Sequence, residues 1–156
     1  MSPARTVMVQ LAAAGLAVAP MPAPAGPISA EEMMPAYERC LWEGREDCAG
    51  LLAAFCLDTS DSLARLTACR AEQAALLEAR ADALIAEIGR RGPEARRMAI
   101  EAARESERAI GLTCEGYAAR VPQADTVHHR VRCALMAAHA AVARLTRLQA
   151  GQETGI

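Results

Sequence analysis

Residues 62–120 read SLARLTACRAEQAALLEARADALIAEIGRRGPEARRMAIEAARESERAIGLTCEGYAAR, and this stretch decides the fold. Leu63, Leu66, Leu77, Leu84 and Ile88 recur near one face of a 3.6-residue period, which predicts a helix over 62–89. Gly89-Arg90-Arg91-Gly92 ends it. Pro93 suits the first position of the next helix, where the missing N–H has no partner to lose. That helix runs to 120 with a mostly small stripe, Ala99, Ala103, Ser106, Ile110, Cys114 and Tyr117, at intervals of three and four. Two long amphipathic helices joined by so short a turn must fold back on each other.

Outward from this hairpin the helical pattern continues. Pro122 closes the second helix, and Val127, Val131, Leu135, Ala138, Val142 and Leu145 mark a third over 126–150, with Gly151 beyond it. On the other side, Glu31 and Glu32 open a short helix over 31–42, where the dipole favours carboxylates, and Gly44 is its natural stop. A second short helix over 46–57 carries Leu51, Leu52 and Phe55, and Asp58-Thr59-Ser60-Asp61 offers N-caps for the next. The prediction is all-α: an antiparallel bundle of three long helices with a short N-terminal helical hairpin, stapled by disulfides. It forms a single domain over 31–151 with a tail at 152–156. Composition agrees. The 156 residues are 53% hydrophobic but 3% aromatic, alanine is abundant, and every one of the 17 basic residues is Arg. Few β-branched and aromatic residues argue against a sheet. A net charge of -2 removes the electrostatic basis for nucleic-acid binding.

The first 30 residues are of another kind. Arg5 is their only charge, Val7 to Ala19 is apolar except for Gln10, and Pro20, Pro22, Pro24 and Pro27 follow. Ala23-Pro24-Ala25 places small residues at the -3 and -1 positions of a cleavage site. This is the pattern of a secretory signal over 1–25, followed by a linker over 26–30. The apolar run falls short of the roughly 20 residues that span a bilayer. The first cysteine, Cys40, lies far beyond the run, which argues against a lipoprotein. The expected location is periplasmic or secreted, with no membrane span after signal removal.

Six cysteines fit that address: Cys40, Cys48, Cys56, Cys69, Cys114 and Cys133. In an oxidising compartment an even set implies a disulfide framework. Zinc ligands arrive as close pairs, and neither C-x2-C spacing nor a C-x-x-C redox pair occurs. Antiparallel packing narrows the pairing. Cys69 lies early in one helix and Cys114 late in the next, Cys133 early in the last, and Cys56 just before the helix of Cys69. The expected connectivity is Cys40–Cys48, Cys56–Cys133 and Cys69–Cys114.

No catalytic constellation emerges. His128, His129 and His139 all fall on the last helix, and the eleven residues between His128 and His139 put them about three turns apart. They read as exposed, ordinary histidines. Glu105 and Glu107 sit among arginines as solvated surface, and Arg90, Arg91, Arg96 and Arg97 as a solvated turn. Met33, Met34, Met98 and Met136 read as core gap-fillers. No Gly-rich phosphate loop and no G-x-S-x-G is present. The expectation is no enzyme, no cofactor and no metal.

The cysteine framework resembles the LprI-like lysozyme-inhibitor family, small exported helical proteins, in its six-cysteine form. The matching pieces are Tyr37-Glu38-Arg39-Cys40-Leu41, Cys48-Ala49-Gly50, Cys56, Cys69 with Glu72, Leu76-Leu77-Glu78-Ala79-Arg80-Ala81-Asp82, Cys114 and Cys133, spanning Tyr37 to Leu148. Where such proteins carry a Gln, a Trp and an Arg-Asp pair before the fifth cysteine, this chain has Ala103, Ser106, Ile110 and Gly111. Ala81-Asp82 stands for a Leu-Asn pair, and Arg120-Val121-Pro122-Gln123 for a Gly-rich turn. The resemblance implies a non-enzymatic binding protein that blocks a lysozyme or other cell-wall hydrolase by surface occlusion. It assigns no residue of this chain to the partner. The alternatives are a periplasmic metal-handling protein using Cys, His128, His129 and Met, and a structural envelope protein without inhibitory role.

Overall fold

The computed structural model describes residues 30–121 and 126–151. The signal expected over 1–25, nearly all of the linker and the tail lie outside the described residues. Within them the chain is 88% helical, with no strand. Helices α1 (Ala30–Trp42), α2 (Cys48–Thr59), α3 (Leu63–Gly89), α4 (Pro93–Arg120) and α5 (Thr126–Gln149) follow one another. No helix among the described residues is long and apolar enough to cross a membrane.

The turns explain the boundaries. Gly44 takes φ 68° after α1, a left-handed conformation that ends a helix without a Cβ penalty. Gly92 takes φ 134° immediately before Pro93, which opens α4 as expected. The cap of α3 is Ser62, whose Oγ accepts from the Arg65 amide at 3.3 Å, in place of the upstream Asp58–Asp61 candidates.

Contacts fix the directions. Thr67 meets His128 near the starts of α3 and α5, and Glu87 meets Gln149 near their ends, so these helices run parallel. Arg144 pairs with Glu105 at 2.8 Å and Cys133 with Cys114, which sets α4 antiparallel to α5. The three long helices therefore run up, down and up. Helix α1 lies against α3 and α5, with Glu38 on Arg80 at 2.7 Å and Tyr37 on His139. Helix α2 turns back along α3. The Gln73 amide, fully buried, donates to the Leu52 carbonyl at 3.1 Å and to Met33 Sδ at 3.3 Å, so one α3 side chain holds both arms of the hairpin.

The core is aliphatic with one aromatic. Tyr37, Leu52, Leu77, Leu84, Leu145 and Val142 are its largest buried side chains, with Ala74, Ala99, Ala103, Ala138 and Ala141 between them. On α4 the buried residues are Ala99, Ala102, Ala103 and Ser106, all in its first half. The expected stripe thus stops early: Ile110 and Cys114 are half-buried and Tyr117 is exposed. The same holds at the starts of α3 and α5, where Leu63 and Val127 face solvent. Of the expected core methionines Met33 is buried, but Met98 and Met136 are exposed.

All six cysteines are paired, as Cys40–Cys48, Cys56–Cys69 and Cys114–Cys133. The first matches the expectation. Cys56–Cys133 and Cys69–Cys114 do not form, and the reason is helix face, not helix end. Cys69 lies one turn before Gln73, whose side chain reaches α2, so Cys69 also looks toward α2 and its Cys56. Cys133 lies one turn after His129, which contacts the Cys114 carbonyl, so Cys133 looks toward α4.

Candidate functional site

The end of the bundle where α2 and α4 finish and α3 and α5 begin concentrates exposed apolar side chains. Leu57, Leu63, Leu112, Tyr117, Val121, Val127 and Met136 belong to this half of the molecule, and outside it only Trp42 and Met98 are exposed large hydrophobics among the described residues. Burying even a few of these side chains would gain on the order of 1.5–3 kcal/mol each.

In this half a cavity of about 220 Å³ opens between α4 and α5, lined by Ile110, Thr113, Cys114, Tyr117, His129, Arg132, Cys133 and Met136. Helical spacing assembles it. Ile110, Cys114 and Tyr117 repeat at four and three on α4, while His129, Cys133 and Met136 do the same on α5. The Tyr117 and His129 rings stack with centroids 5.0 Å apart and planes 29° from parallel. A carbonyl oxygen only accepts, so His129 Nε2–H donates to the Cys114 carbonyl, at 3.3 Å. The same nitrogen lies 3.5 Å from Cys133 Sγ. The cavity is smaller than the usual 300–1,000 Å³ of small-molecule sites and suits a single side chain better than a cofactor.

The other two histidines do different work, and none is the ordinary exposed histidine expected. His128 is half-buried between α3 and α5. Arg70 donates to its Nε2 at 2.9 Å, which makes Nε2 the acceptor. Its Nδ1–H then donates to Thr67 Oγ1 at 2.9 Å, while that hydroxyl donates to the Leu63 carbonyl at 2.7 Å. His139 is held by Tyr37, whose hydroxyl hydrogen-bonds to Nδ1 at 2.7 Å. Burial, helped by nearby Arg147, pushes the His139 imidazole below its usual pKa. Burial also raises the Tyr37 phenol, with Glu38 adding to the shift, so this pair is neutral across the physiological range.

The structure therefore separates the three histidines and joins His129 alone to a cysteine pair. Tyr37, Thr67, Arg70, Gln73 and Tyr117 carry the contacts, and spacing gave no signal for any of them except Tyr117, which it placed in the core. Of the anticipated basic turn, Arg91 caps the end of α5 by donating to the Gln149 carbonyl at 2.7 Å. No family model, curated protein or solved structure matches this chain.

Proposed function

We propose that the chain is a non-enzymatic periplasmic or secreted protein that acts by occlusion, its partner a lysozyme or another cell-wall hydrolase. The apolar end of the bundle supports the binding half of this reading. Tyr117, Met136 and Arg132 flank one cavity there, and Tyr, Met and Arg are the residue types enriched where proteins bury contact surface. The Cys114–Cys133 and Cys56–Cys69 bridges fix four helix ends around it. A surface fixed in advance loses less conformational freedom on binding. The choice of partner rests on the resemblance of the cysteine framework to LprI-like inhibitors. Loss of Arg5 with the signal would leave a charge of -3, which suits a cationic hydrolase.

The test is lysozyme-catalysed cell-wall lysis with the oxidised mature protein, across several lysozyme types, beside a Tyr117→Ala variant of unchanged helicity. Inhibition that falls by about 10-fold or more in the variant supports the reading, since an interface aromatic contributes upward of 1 kcal/mol. Wild-type protein that inhibits none of them removes the hydrolase assignment. A pull-down from periplasm then finds whether another protein takes its place.

A further inference from the structure

We infer that the Cys114–Cys133 pair and His129 form a redox-gated zinc site, closed as a disulfide and opened by a dithiol reductant. This inference stands apart from the occlusion reading. Two observations carry it. The first is access. Cys40, Cys48 and Cys56 are 2%, 1% and 0% exposed, so each of the other bridges has at least one shielded sulfur. Cys114 and Cys133 are both half-buried and both line the open cavity. A thiolate must reach the sulfur it attacks; Cys69 leaves the Cys56–Cys69 bridge one half-buried sulfur, but only Cys114–Cys133 offers two, both on an open cavity, so a dithiol reduces this bridge first.

The second is ligand geometry. The sulfurs of Cys114 and Cys133 and a ring nitrogen of His129 lie within 4.8 Å of one another. Zinc binds sulfur at about 2.3 Å and imidazole nitrogen at about 2.0–2.1 Å, so a tetrahedral site needs roughly 3.6 Å between the two donors. His129 Nε2 and Cys133 Sγ already stand 3.5 Å apart. The sulfurs need to separate to about 3.8 Å, the tetrahedral edge for two thiolates.

The chemistry balances. A dithiol transfers two electrons and two protons to the disulfide, giving two thiols and its own cyclic disulfide. Zn²⁺ then displaces the two thiol protons and takes Nε2, which leaves its N–H donation to the Cys114 carbonyl as the ring proton moves to Nδ1. The fourth position faces the cavity, open to water.

The test uses the oxidised protein and a limiting amount of dithiothreitol without oxygen. Freed thiols are alkylated and mapped by mass spectrometry, and the reduced chain is titrated with Zn²⁺ and with Co²⁺ as its spectroscopic stand-in. Cys114 and Cys133 should be freed first. One Co²⁺ should bind with thiolate charge-transfer and tetrahedral ligand-field absorption. His129→Ala should weaken Zn²⁺ binding by about 10-fold or more, as loss of a direct ligand costs at least what loss of an outer partner does. His128→Ala should leave it unchanged. That contrast excludes capture by an unfolded chain, which would treat the two histidines alike. A Cys114→Ser/Cys133→Ser protein, which keeps the other two bridges, should take up no Co²⁺. Release of another pair first, absence of the thiolate band, or equal affinity in the His129 and His128 variants would overturn the inference.

Discussion

Replacing His139 by Gln should remove an acid sensitivity that burial of its imidazole builds into the core. In the folded protein the ring is held neutral, because burial and Arg147 push its pKa below 6.5. In the unfolded chain the ring titrates at its ordinary value. Above about pH 6.5 both forms are neutral, and the pair contributes its full stability. Below that, the unfolded ring takes up a proton that the folded ring resists, so stability falls by up to about 1.4 kcal/mol per pH unit. The loss levels off once pH passes through the lowered folded value. Between pH 6.5 and 5 it amounts to at most about 2 kcal/mol. Gln offers the Tyr37 hydroxyl an acceptor and carries no titrating proton. Urea unfolding followed by far-UV circular dichroism, with disulfides intact, gives the free energy at each pH by linear extrapolation. The difference between wild type and His139→Gln cancels the carboxylates and the other two histidines. It should narrow as pH falls through this window. A difference that stays constant from pH 7.5 to 5 would refute the neutral-pair account. Tyr37→Phe separates the hydrogen bond from the titration: at pH 7.5 it should cost about 1–3 kcal/mol, because it strands a half-buried ring nitrogen.

Three other outcomes follow from the packing. Cys114→Ser/Cys133→Ser opens a 19-residue loop and should lower unfolding free energy by about 3 kcal/mol. The loss should appear in hydrogen exchange as faster opening of α4 beyond Ser106, its last buried residue. Leu77→Ala removes a fully buried side chain between the helices and should cost about 2–5 kcal/mol by the same urea assay. Gly92→Ala forces a Cβ onto φ 134° with no steric neighbour to blame, so a loss of roughly 1–3 kcal/mol would measure backbone conformation alone.

Helix number, order and bounds were legible because their signals are local. Pro93, Gly44, Gly92 and the 3.6-residue stripes act within a turn or two, and the observed bounds differ from the expected ones by one or two residues. Disulfide pairing was not, because it depends on the rotation of each helix about its own axis. Knowing that Cys69 and Cys114 share an end leaves open which neighbour each faces, and Gln73 and His129 reveal that only once packed. The candidate site was hidden for a related reason. Ile110, Cys114 and Tyr117 continue the same stripe as Ala99 and Ser106, and periodicity cannot say where along a stripe the covering helices stop.

That stopping point connects stability with function. Up to Ser106, α4 is held by packing of alanines and leucines; beyond it, by one covalent bridge, the hydrogen bond from His129 to the Cys114 carbonyl and a stacked Tyr117–His129 pair. The observed bridges close loops of 8, 13 and 19 residues; the first is as expected and the other two are shorter than Cys56–Cys133 and Cys69–Cys114 would have closed, so they constrain the unfolded chain less. Each ties helices consecutive in the chain: α1 to α2, α2 to α3, and α4 to α5. Two of the three act at the apolar end. A core that ran to that end would need no staple there and would leave no apolar surface for a partner. A covalent bond between α4 and α5 lets the helix ends stay together while Tyr117 and Met136 remain exposed, so the bridge substitutes for the burial that core packing would otherwise supply.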